Sequence, residues 1–574
     1  MSWIIGAISK ENIEAMLPQD KTIAFSFPIK NGYNLSISAG GSKSTLFFSP
    51  PEENFKWLSA GTGILEDSDS FKFMEAKEWE KFFNCSRNPG KLNGHFVFLY
   101  RNAEQLKLLT DITGLRDIYL LKDNERIIFS TRIDLISKFI RPEIDFSQLG
   151  GRWILINQIS TKSIFKKLIR LTAGSCGTIN LNTFEITIES VAQIPDITIN
   201  NNAENEIKEL ISSLISFPLK ENKKISLSLS GGMDSRIILA HLLKSDKNKW
   251  NAHTFGNPGQ PDSIIAKEIA EESAFNLELV HTPVLNTDFI KDLSAYCSSV
   301  YLTAPASSFL QMREYRFINH LNDVIIDGGF GEILRREFLN KLLWKCKNAV
   351  MSKNSKDIIR HLRLFRADIF NEEINRQMEK GALEQLDALI HSLPSAAETG
   401  IENWLDLFSI KTRLPNFYGP EQSRVDSEYV SYMPFAQPAL LNKIFSLSIK
   451  ERRSGKFSKN LINGLIPSLT KYPLAKGNAS HPFCMNSIQS RLWVRFRKSF
   501  SKKLYNDTSQ TDMLIHLKEF ILDTINSAKV KENSAYDYKK IQIIASEFYS
   551  GKAEYANRLD WWLAFELFMQ SMKK

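Results

Sequence analysis

Cysteine is scarce in this chain and follows no pattern. Cys85, Cys176, Cys297, Cys346 and Cys484 stand singly among 574 residues, without the paired spacing of a zinc site or the density of a disulfide scaffold. They read as reduced, buried thiols. Long apolar runs are missing too, and the first residues show no basic stretch followed by an apolar one. Neither a bilayer span nor a secretory leader is therefore expected, and the protein is placed in the cytoplasm. Nor is one sign of charge strongly in excess: 73 lysines and arginines against 64 acidic residues leave +9. The densest basic run, Arg491 to Lys503, sets Arg495, Arg497, Lys498, Lys502 and Lys503 among Trp493, Phe496 and Phe500. An amphipathic helix with a basic solvated face accounts for it. A grip on an acidic or polymeric substrate is the alternative, and nucleic acid is not the expected partner.

What is present is an ordinary globular composition, 43% hydrophobic and 24% charged, in a chain long enough for two or more domains. Its most informative stretch is Ile225-Ser-Leu-Ser-Leu-Ser-Gly-Gly-Met-Asp-Ser-Arg236. Ile225, Leu227 and Leu229 alternate with Ser226 and Ser228 as in a short strand, and Ile237, Ile238, Leu239, Leu242 and Leu243 supply a helical stripe beyond. Between them Gly231 and Gly232 let backbone N–H groups and a helix N-terminus approach a ligand, a geometry that suits phosphate. The lysine of the common phosphate loop is absent, and Asp234 stands in the turn. A carboxylate beside phosphate is repulsive unless a divalent cation lies between them. Asp234 therefore reads as a Mg²⁺ ligand, with the Ser230 and Ser235 hydroxyls as donors.

The order Ser-Gly-Gly-x-Asp-Ser from Ser230 to Ser235 resembles the pyrophosphate loop of the N-type ATP pyrophosphatases. The resemblance implies that Leu229 and this loop hold ATP, that an adenylyl group passes to a substrate oxygen, and that AMP and pyrophosphate are released. Motifs in the strand-rich N-terminal part extend the resemblance to one family. Leu92-Asn-Gly-His-Phe-Val97, Asp111-Ile-Thr-Gly-Leu-Arg-Asp-Ile-Tyr-Leu120, Ile128-Phe-Ser-Thr-Arg-Ile-Asp-Leu-Ile136 and Leu171-Thr-Ala-Gly-Ser175 are similar, in order, to the amidotransferase domain of glutamine-dependent asparagine synthetases. That family begins Met-Cys-Gly-Ile, with the cysteine as the nucleophile that frees ammonia from glutamine. Here Ser2 takes the nucleophile's place and Trp3 that of the glycine. The family's Asn-Gly-Glu clamp and Arg-Gly-Pro-Asp segment are absent as well, so this domain is expected to be a scaffold without glutaminase activity.

The polar, asparagine-rich segment from Asp196 to Glu204 is the natural boundary. Beyond it the pattern predicts a helix from Glu206 to about Phe217, strands at Trp250 to Phe255, Leu277 to His281 and Val324 to Asp327, and a helix from Asp262 to Ala274. This alternation is that of a parallel sheet with helices on both faces, whose ligands sit at the carboxyl ends of the strands. At one such end, Thr254 and Phe255 would touch adenine as in the related synthetases; a plain turn with Asp262 capping the next helix reads equally well. At another, Ile325-Ile-Asp-Gly-Gly-Phe-Gly-Glu-Ile-Leu-Arg-Arg336 resembles the synthetases' second phosphate loop. On that resemblance Asp327 and Gly328 join the ATP site, Glu332 is the second Mg²⁺ carboxylate with Asp327 as its rival, and Arg335 and Arg336 balance the charge of departing pyrophosphate.

The family's Glu-x-Arg-x-Pro-Phe is reduced here to Met433-Pro-Phe435, with Val430 and Tyr432 where glutamate and arginine belong. The substrate-side acid must then come from elsewhere, with Glu428 as the candidate, and the substrate is expected to differ from aspartate. Tyr472 to Phe483 reads as a loop built on proline and glycine. Its Lys476 matches the lysine of amide-forming relatives, a cation for the acyl-adenylate and the tetrahedral intermediate; His481 reads as a local hydrogen-bonding group. Phe338 to about Leu393 reads as a charged helical insertion without nameable chemistry. Tyr536 to Met572 reads as paired amphipathic helices with Trp561, Trp562, Phe565 and Phe568 in the core.

The expected architecture is α/β: an Ntn-hydrolase-like αββα sandwich over residues 1–195, then an adenine-nucleotide α-hydrolase-like, N-type ATP pyrophosphatase domain with a helical C-terminal part over residues 206–574. The resemblance implies an amide ligase that uses ATP and Mg²⁺. A small-molecule or peptide carboxylate is adenylated and then met by an amine, as in the β-lactam and lasso-peptide macrolactam synthetases of the family. Asparagine synthesis from ammonia or glutamine and a non-catalytic nucleotide-binding role are the other readings, and a homodimer is left open.

Overall fold

The computed structural model describes every residue except 1, 12–21, 51–54, 68–69, 86–89, 91, 157–158, 160, 191–194, 196, 201, 281–287, 312–314, 316–317, 427–428, 501–504, 506 and 573–574. The N-terminal part folds into two antiparallel sheets. Six strands make the first, in the spatial order Leu168–Leu171, Ile118–Lys122, Arg126–Ser130, Trp3–Ser9, Asn34–Gly40, Ile23–Pro28. The second is built around the long pair Trp57–Asp67 and Leu92–Arg101, registered from Trp57 opposite Tyr100 to Leu65 opposite Leu92.

Each sheet presents one apolar face to the other. Ile4, Ile8, Leu35 and Ile37 of the first meet Leu58, Ala60, Val97 and Leu99 of the second in a common core. A helix, Ala76–Cys85, covers the outside of the second sheet through Trp79 and Phe82, against Trp57, Phe96 and Phe98. The outside of the first sheet, with Trp3, Ile5, Ala7 and Ile128, packs against helix Phe146–Trp153 and against C-terminal residues including Trp562, Leu563 and Phe568. The layers are helix, sheet, sheet, helix, and the last layer draws on the C-terminal part. The apolar core therefore runs across the boundary expected near residue 196.

The remaining sheet is parallel. Strands β1 (Ile225–Ser228), β2 (Trp250–Phe255), β3 (Leu277–Val280), β4 (Val324–Asp327) and β5 (Val430–Tyr432) lie in the order β3-β2-β1-β4-β5. Leu227 is registered with Ala252 on one side and Ile326 on the other, and these apolar residues are buried, as strands covered on both faces require. The chain leaves β1 toward β2 and β3, then returns to place β4 on the other side. The order thus reverses between β1 and β4, and a ligand crevice opens there at the carboxyl ends.

Four local expectations are corrected. The segment Tyr472 to Phe483 is not an open loop: β6 (Leu474–Lys476) and β7 (Ala479–His481) pair as a hairpin, with Gly477 at φ 58° in its two-residue turn. Val430 to Tyr432, read only as a degenerate motif, is the fifth strand. Helix Ala556–Ser571 is buried on nearly all sides from Leu559 to Phe568 rather than amphipathic. Helix Ser487–Phe500 leaves Ile488, Leu492 and Phe496 exposed along with Arg495, so it has no single apolar face turned to the core. Lys502 and Lys503 lie outside the described residues, as does His281. Among the described residues no helix is long and apolar enough to cross a membrane.

Candidate active site

The loop after β1 leads through Ser230, Gly231 and Gly232 into helix α1 (Met233–Leu242). Neither glycine has a positive φ. What Gly231 provides is close approach: a Cβ there would lie 2.8 Å from the Ala475 Cβ on β6. The Ala475 N–H donates to the Gly231 carbonyl at 3.0 Å, joining the hairpin to the loop. The loop's own N–H groups are satisfied internally. Gly231 N–H donates to Asp262 Oδ1 (2.8 Å), Gly232 N–H to Ser230 Oγ (3.2 Å), and Ser230 N–H to Ser235 Oγ (3.1 Å). Asp262 is therefore not the helix cap. Gln260 is the N-cap residue of α2 (Pro261–Ser273), and the Asp262 carboxylate braces the loop instead.

Asp234, in the first turn of α1, faces the second loop closely enough that a Cβ on Gly331 would collide with its carboxyl. Arg335, at the end of helix α3 (Glu332–Arg335), holds that carboxylate with two charge-assisted hydrogen bonds, Nε to Oδ1 at 2.8 Å and Nη2 to Oδ2 at 2.6 Å. Burial raises the Asp234 carboxyl to about 6; Arg335 opposes this, and Glu332 and Glu337 add to it. Asp327 ends β4 and accepts the Gly329 N–H at 2.6 Å, and burial raises its carboxyl to about 6 as well.

These groups border one cavity of about 400 Å³, lined by Ser230, Gly232, Asp234, Ser235, Asp327, Gly328, Arg335, Glu337, Lys476 and His481 among others. Lys476, half-buried, donates to Ser490 Oγ at 3.0 Å. Burial lowers its pKa, with Arg491 and Arg335 adding to the shift and Glu337 opposing it. A second cavity, of about 590 Å³, shares Ser228 and Asp327 with the first and is walled by Phe255, Tyr315, Phe417, Tyr418 and Trp561. Phe255 thus lines the second cavity, whereas Thr254 is buried and lines neither, and Leu229 is buried with its N–H on the His253 carbonyl at 2.8 Å.

Of the two acidic expectations, one draws no support from this geometry and the other is not described. Glu332 is not among the residues lining the first cavity; its carboxylate lies 3.9 Å from Arg413. Glu428 lies outside the described residues. Arg336 is corrected too. It does not reach toward the site but turns inward, fully buried, to the Phe338 carbonyl (2.6 Å) and Asp406 (3.3 Å), which also binds Arg452 at 2.6 Å. It anchors the end of α3 that carries Arg335. Arg336→Ala should lower stability by about 3 kcal/mol in urea unfolding, because a buried carboxylate loses one of its two cations. A loss below about 1 kcal/mol would contradict the anchoring role.

Sequence reasoning missed one further residue. Arg236, buried on α1, donates to the carbonyls of Leu469 (3.2 Å), Tyr472 (2.9 Å), Pro473 (2.7 Å) and Gly231 (3.3 Å), fastening the approach to the Lys476 hairpin onto the glycine loop. An arginine inside an otherwise apolar helical stripe was the available signal.

At the nucleophile position, Ser2 is fully buried and its hydroxyl is engaged by Thr45 and by the Asp426 carbonyl. The Asp426 carboxylate accepts from His95 at 2.8 Å and lies 3.5 Å from Arg116, while Gly94 N–H donates to Gln437 (2.7 Å) and Ala439 N–H to Asn93 (2.8 Å). Three consecutive residues of the N-terminal part, Asn93 to His95, are thereby gripped by the C-terminal part.

No family model matches the chain. Over 183 residues it is 27% identical to the Microcin J25-processing protein McjC of Escherichia coli. The match covers 31% of this chain, which spans about a third (34%) of the relative's length. Among solved structures, the chain is similar to glutamine phosphoribosylpyrophosphate amidotransferase from B. subtilis complexed with ADP and GMP (9% identical, 58% of this chain and 77% of that one, TM-score 0.21). The allosteric regulatory enzyme of purine biosynthesis is also similar (11% identical, 67% and 86%, TM-score 0.20). At those TM-scores neither bears on the fold or the chemistry here. Among the described residues no group of three or more His, Cys, Asp or Glu side chains is gathered to hold a metal. Mg²⁺ seldom needs one, since it takes one or two carboxylates and completes its shell with water and nucleotide phosphate. Asp234 and Asp327, which border the same cavity, fit that donor set.

Proposed function

We propose that the protein is an ATP-dependent amide-forming ligase that adenylates a carboxylate and passes the acyl group to an amine, releasing AMP and pyrophosphate. The observation that carries this reading is the pair of cavities that share Ser228 and Asp327 at the switch point of the parallel sheet, one walled by the glycine loop, Arg335 and Lys476, the other aromatic. The triphosphate belongs in the first. As it enters, the loop N–H groups exchange Ser230, Ser235 and Asp262 for phosphate oxygens, and Arg335 turns from Asp234 to the departing pyrophosphate. Mg²⁺ would be held by Asp234 and Asp327 and would neutralise phosphate charge. The acyl substrate belongs in the second cavity, beside Ser228 and Asp327. Lys476 then faces the negative charge that builds up as the amine attacks.

The expectation of a substrate other than aspartate draws support from Val430 and Tyr432. Both are buried in β5, and the Tyr432 hydroxyl is committed to the Leu214 carbonyl at 2.6 Å. With Mg-ATP, aspartate and either ammonium or amide-labelled glutamine, mass spectrometry should find no asparagine. Asparagine made with AMP would establish the rival asparagine-synthetase reading, and label from glutamine would restore Ser2 as a nucleophile. The nucleotide site is tested separately by calorimetry. Mg-ATP should bind the wild type, and Asp234→Asn should weaken it.

The Asp234 carboxyl, with its pKa near 6, also fixes a pH dependence. Only the ionised form binds Mg²⁺, so affinity should rise as pH increases through 6, by about tenfold between pH 5 and 7. The nucleotide's own phosphate titrates in this range, so the relevant quantity is the difference between wild type and Asp234→Asn. An identical profile in both would exclude Asp234 as the metal ligand.

A further inference from the structure

Of the charged groups bordering the aromatic cavity, most have a stated partner. Arg424 lies 3.2 Å from Glu421, which also accepts the Tyr296 hydroxyl, and Arg413 packs over Phe417 and Tyr418 near Glu332. Arg366 is different. It is 96% buried, with only 4% of its surface exposed, and it lines the cavity with Leu364 and Trp561. Its Nη1 donates to the carbonyls of Trp153 (2.6 Å) and Leu155 (3.4 Å), its guanidinium lies 4.7 Å over the Trp561 ring, and its Nε has no hydrogen-bond partner among the described residues. The charge that acts on it is another buried cation, Arg152. Carbonyl dipoles and an aromatic face solvate a guanidinium but do not neutralise it, and a buried charge without a counter-ion costs several kcal/mol. Burial, and then Arg152, push its pKa down to about 9, which still leaves it charged at neutral pH.

We propose that the aromatic cavity takes a ligand with an apolar, ring-sized body and a free anionic group, and that Arg366 is the counter-charge for that group. The anion is separate from the carboxylate to be activated, which lies toward Ser228 and Asp327, where the two cavities meet. This deepens the ligase reading, since it assumes that the cavity is the acyl substrate's side of the site. It also explains why a buried arginine without a counter-ion lines this cavity: the missing charge arrives with the substrate. A carboxylate fits best, because a planar guanidinium binds its two oxygens in one plane.

The probes are N-acetyl-phenylalanine and its carboxamide, titrated into the full chain and followed by calorimetry and ligand-observed NMR. The acid should bind the wild type about tenfold or more tightly than the amide. Arg366→Met should bring the acid down to the amide's level, and Arg366→Lys should restore part of the difference. Mg-ATP affinity should stay within about twofold throughout, since Arg366 does not line the phosphate cavity. Equal binding of acid and amide, binding of neither, or a preference that survives Arg366→Met overturns the proposal. If circular dichroism shows that Arg366→Met does not fold, Ala304→Trp, which fills the same cavity from its wall, should abolish acid binding. Retained binding would place the acid elsewhere and also overturn the proposal. Failure of the ligase reading would appear separately, as wild-type protein that does not bind Mg-ATP.

Discussion

Replacing Lys476 by alanine should slow AMP release by about 10²–10³-fold at saturating substrates while leaving Mg-ATP affinity within about twofold, the loss typical of removing one donor to transition-state charge. The separation of the two effects follows from the geometry. The glycine loop, Arg335 and Asp234 sit on elements rooted in the parallel sheet and are built without Lys476. The lysine enters the cavity from the β6–β7 hairpin, and among the described residues its ammonium is held by one neutral partner, Ser490. A neutral partner can be exchanged for a developing oxyanion at little cost. Glu337, which could have trapped the charge, is occupied by Arg335 at 3.5 Å and by the Ser487 hydroxyl at 2.6 Å. A rate unchanged in Lys476→Ala would remove the residue from the chemistry. A fall in ATP affinity that matches the fall in rate would make it a ground-state binding group. Arg236→Met provides the companion test. It should lower the rate by loosening the hairpin and its tie to the glycine loop, with the Lys476 ammonium still present.

Part of this site could be read directly from the sequence. A strand, two glycines and an apolar helix are local signals, so the loop at Ser230 and its place at the end of a parallel strand were legible, as were β2, β4 and the helix after β2. Less legible was anything that depends on residues distant in the chain. Asp262 looked like a helix cap because acids near helix starts usually are, but its partner, the Gly231 N–H, lies 31 residues earlier. Arg335 and Arg336 are adjacent and chemically alike. Arg335 ends a four-residue helix and meets Asp234, whereas Arg336, just past it with φ 53°, turns to Asp406, and sequence alone cannot assign those directions. Glu332 and Asp327 posed the same problem, and of the two only Asp327 lines the first cavity. The N-terminal layers were expected from the family resemblance, with alternation showing only strands; the sharing of their outer helical layer with the C-terminal part was not legible, because it joins Trp3 in one apolar cluster with residues more than five hundred positions later.

The grip on Asn93 to His95 leads to the largest stability effect. Asp426→Ala should cost about 3–5 kcal/mol, the usual result of leaving buried charge without its partner. Arg116 is buried, and its side chain's ion-pair contact is Asp426; His95 is buried as well, with its Nδ1 unbonded among the described residues. Both would face an empty space where the carboxylate stood. The Asp426 carbonyl still receives Ser2 and Thr45 in the alanine variant, so the loss isolates the carboxylate. Asp426→Asn, which keeps an acceptor for His95 but no charge for Arg116, should fall between. In a double-mutant cycle, Asp426→Ala with Arg116→Met should cost clearly less than the sum of the two, since removing both partners removes the stranded charge. Additive losses, or a loss below about 1 kcal/mol for Asp426→Ala, would show that the seam is not electrostatic. The same variant bears on function, because Asp426 directly follows helix α4 (Gly419–Val425), whose Glu421, Gln422, Arg424 and Val425 line the aromatic cavity. Loosening that anchor should raise KM for the acyl substrate more than it lowers kcat, while the phosphate cavity, built from β1, β4 and the hairpin, keeps its affinity for Mg-ATP. The N-terminal part would then act on catalysis without a nucleophile of its own, by fixing one wall of the site in which the carboxylate is held.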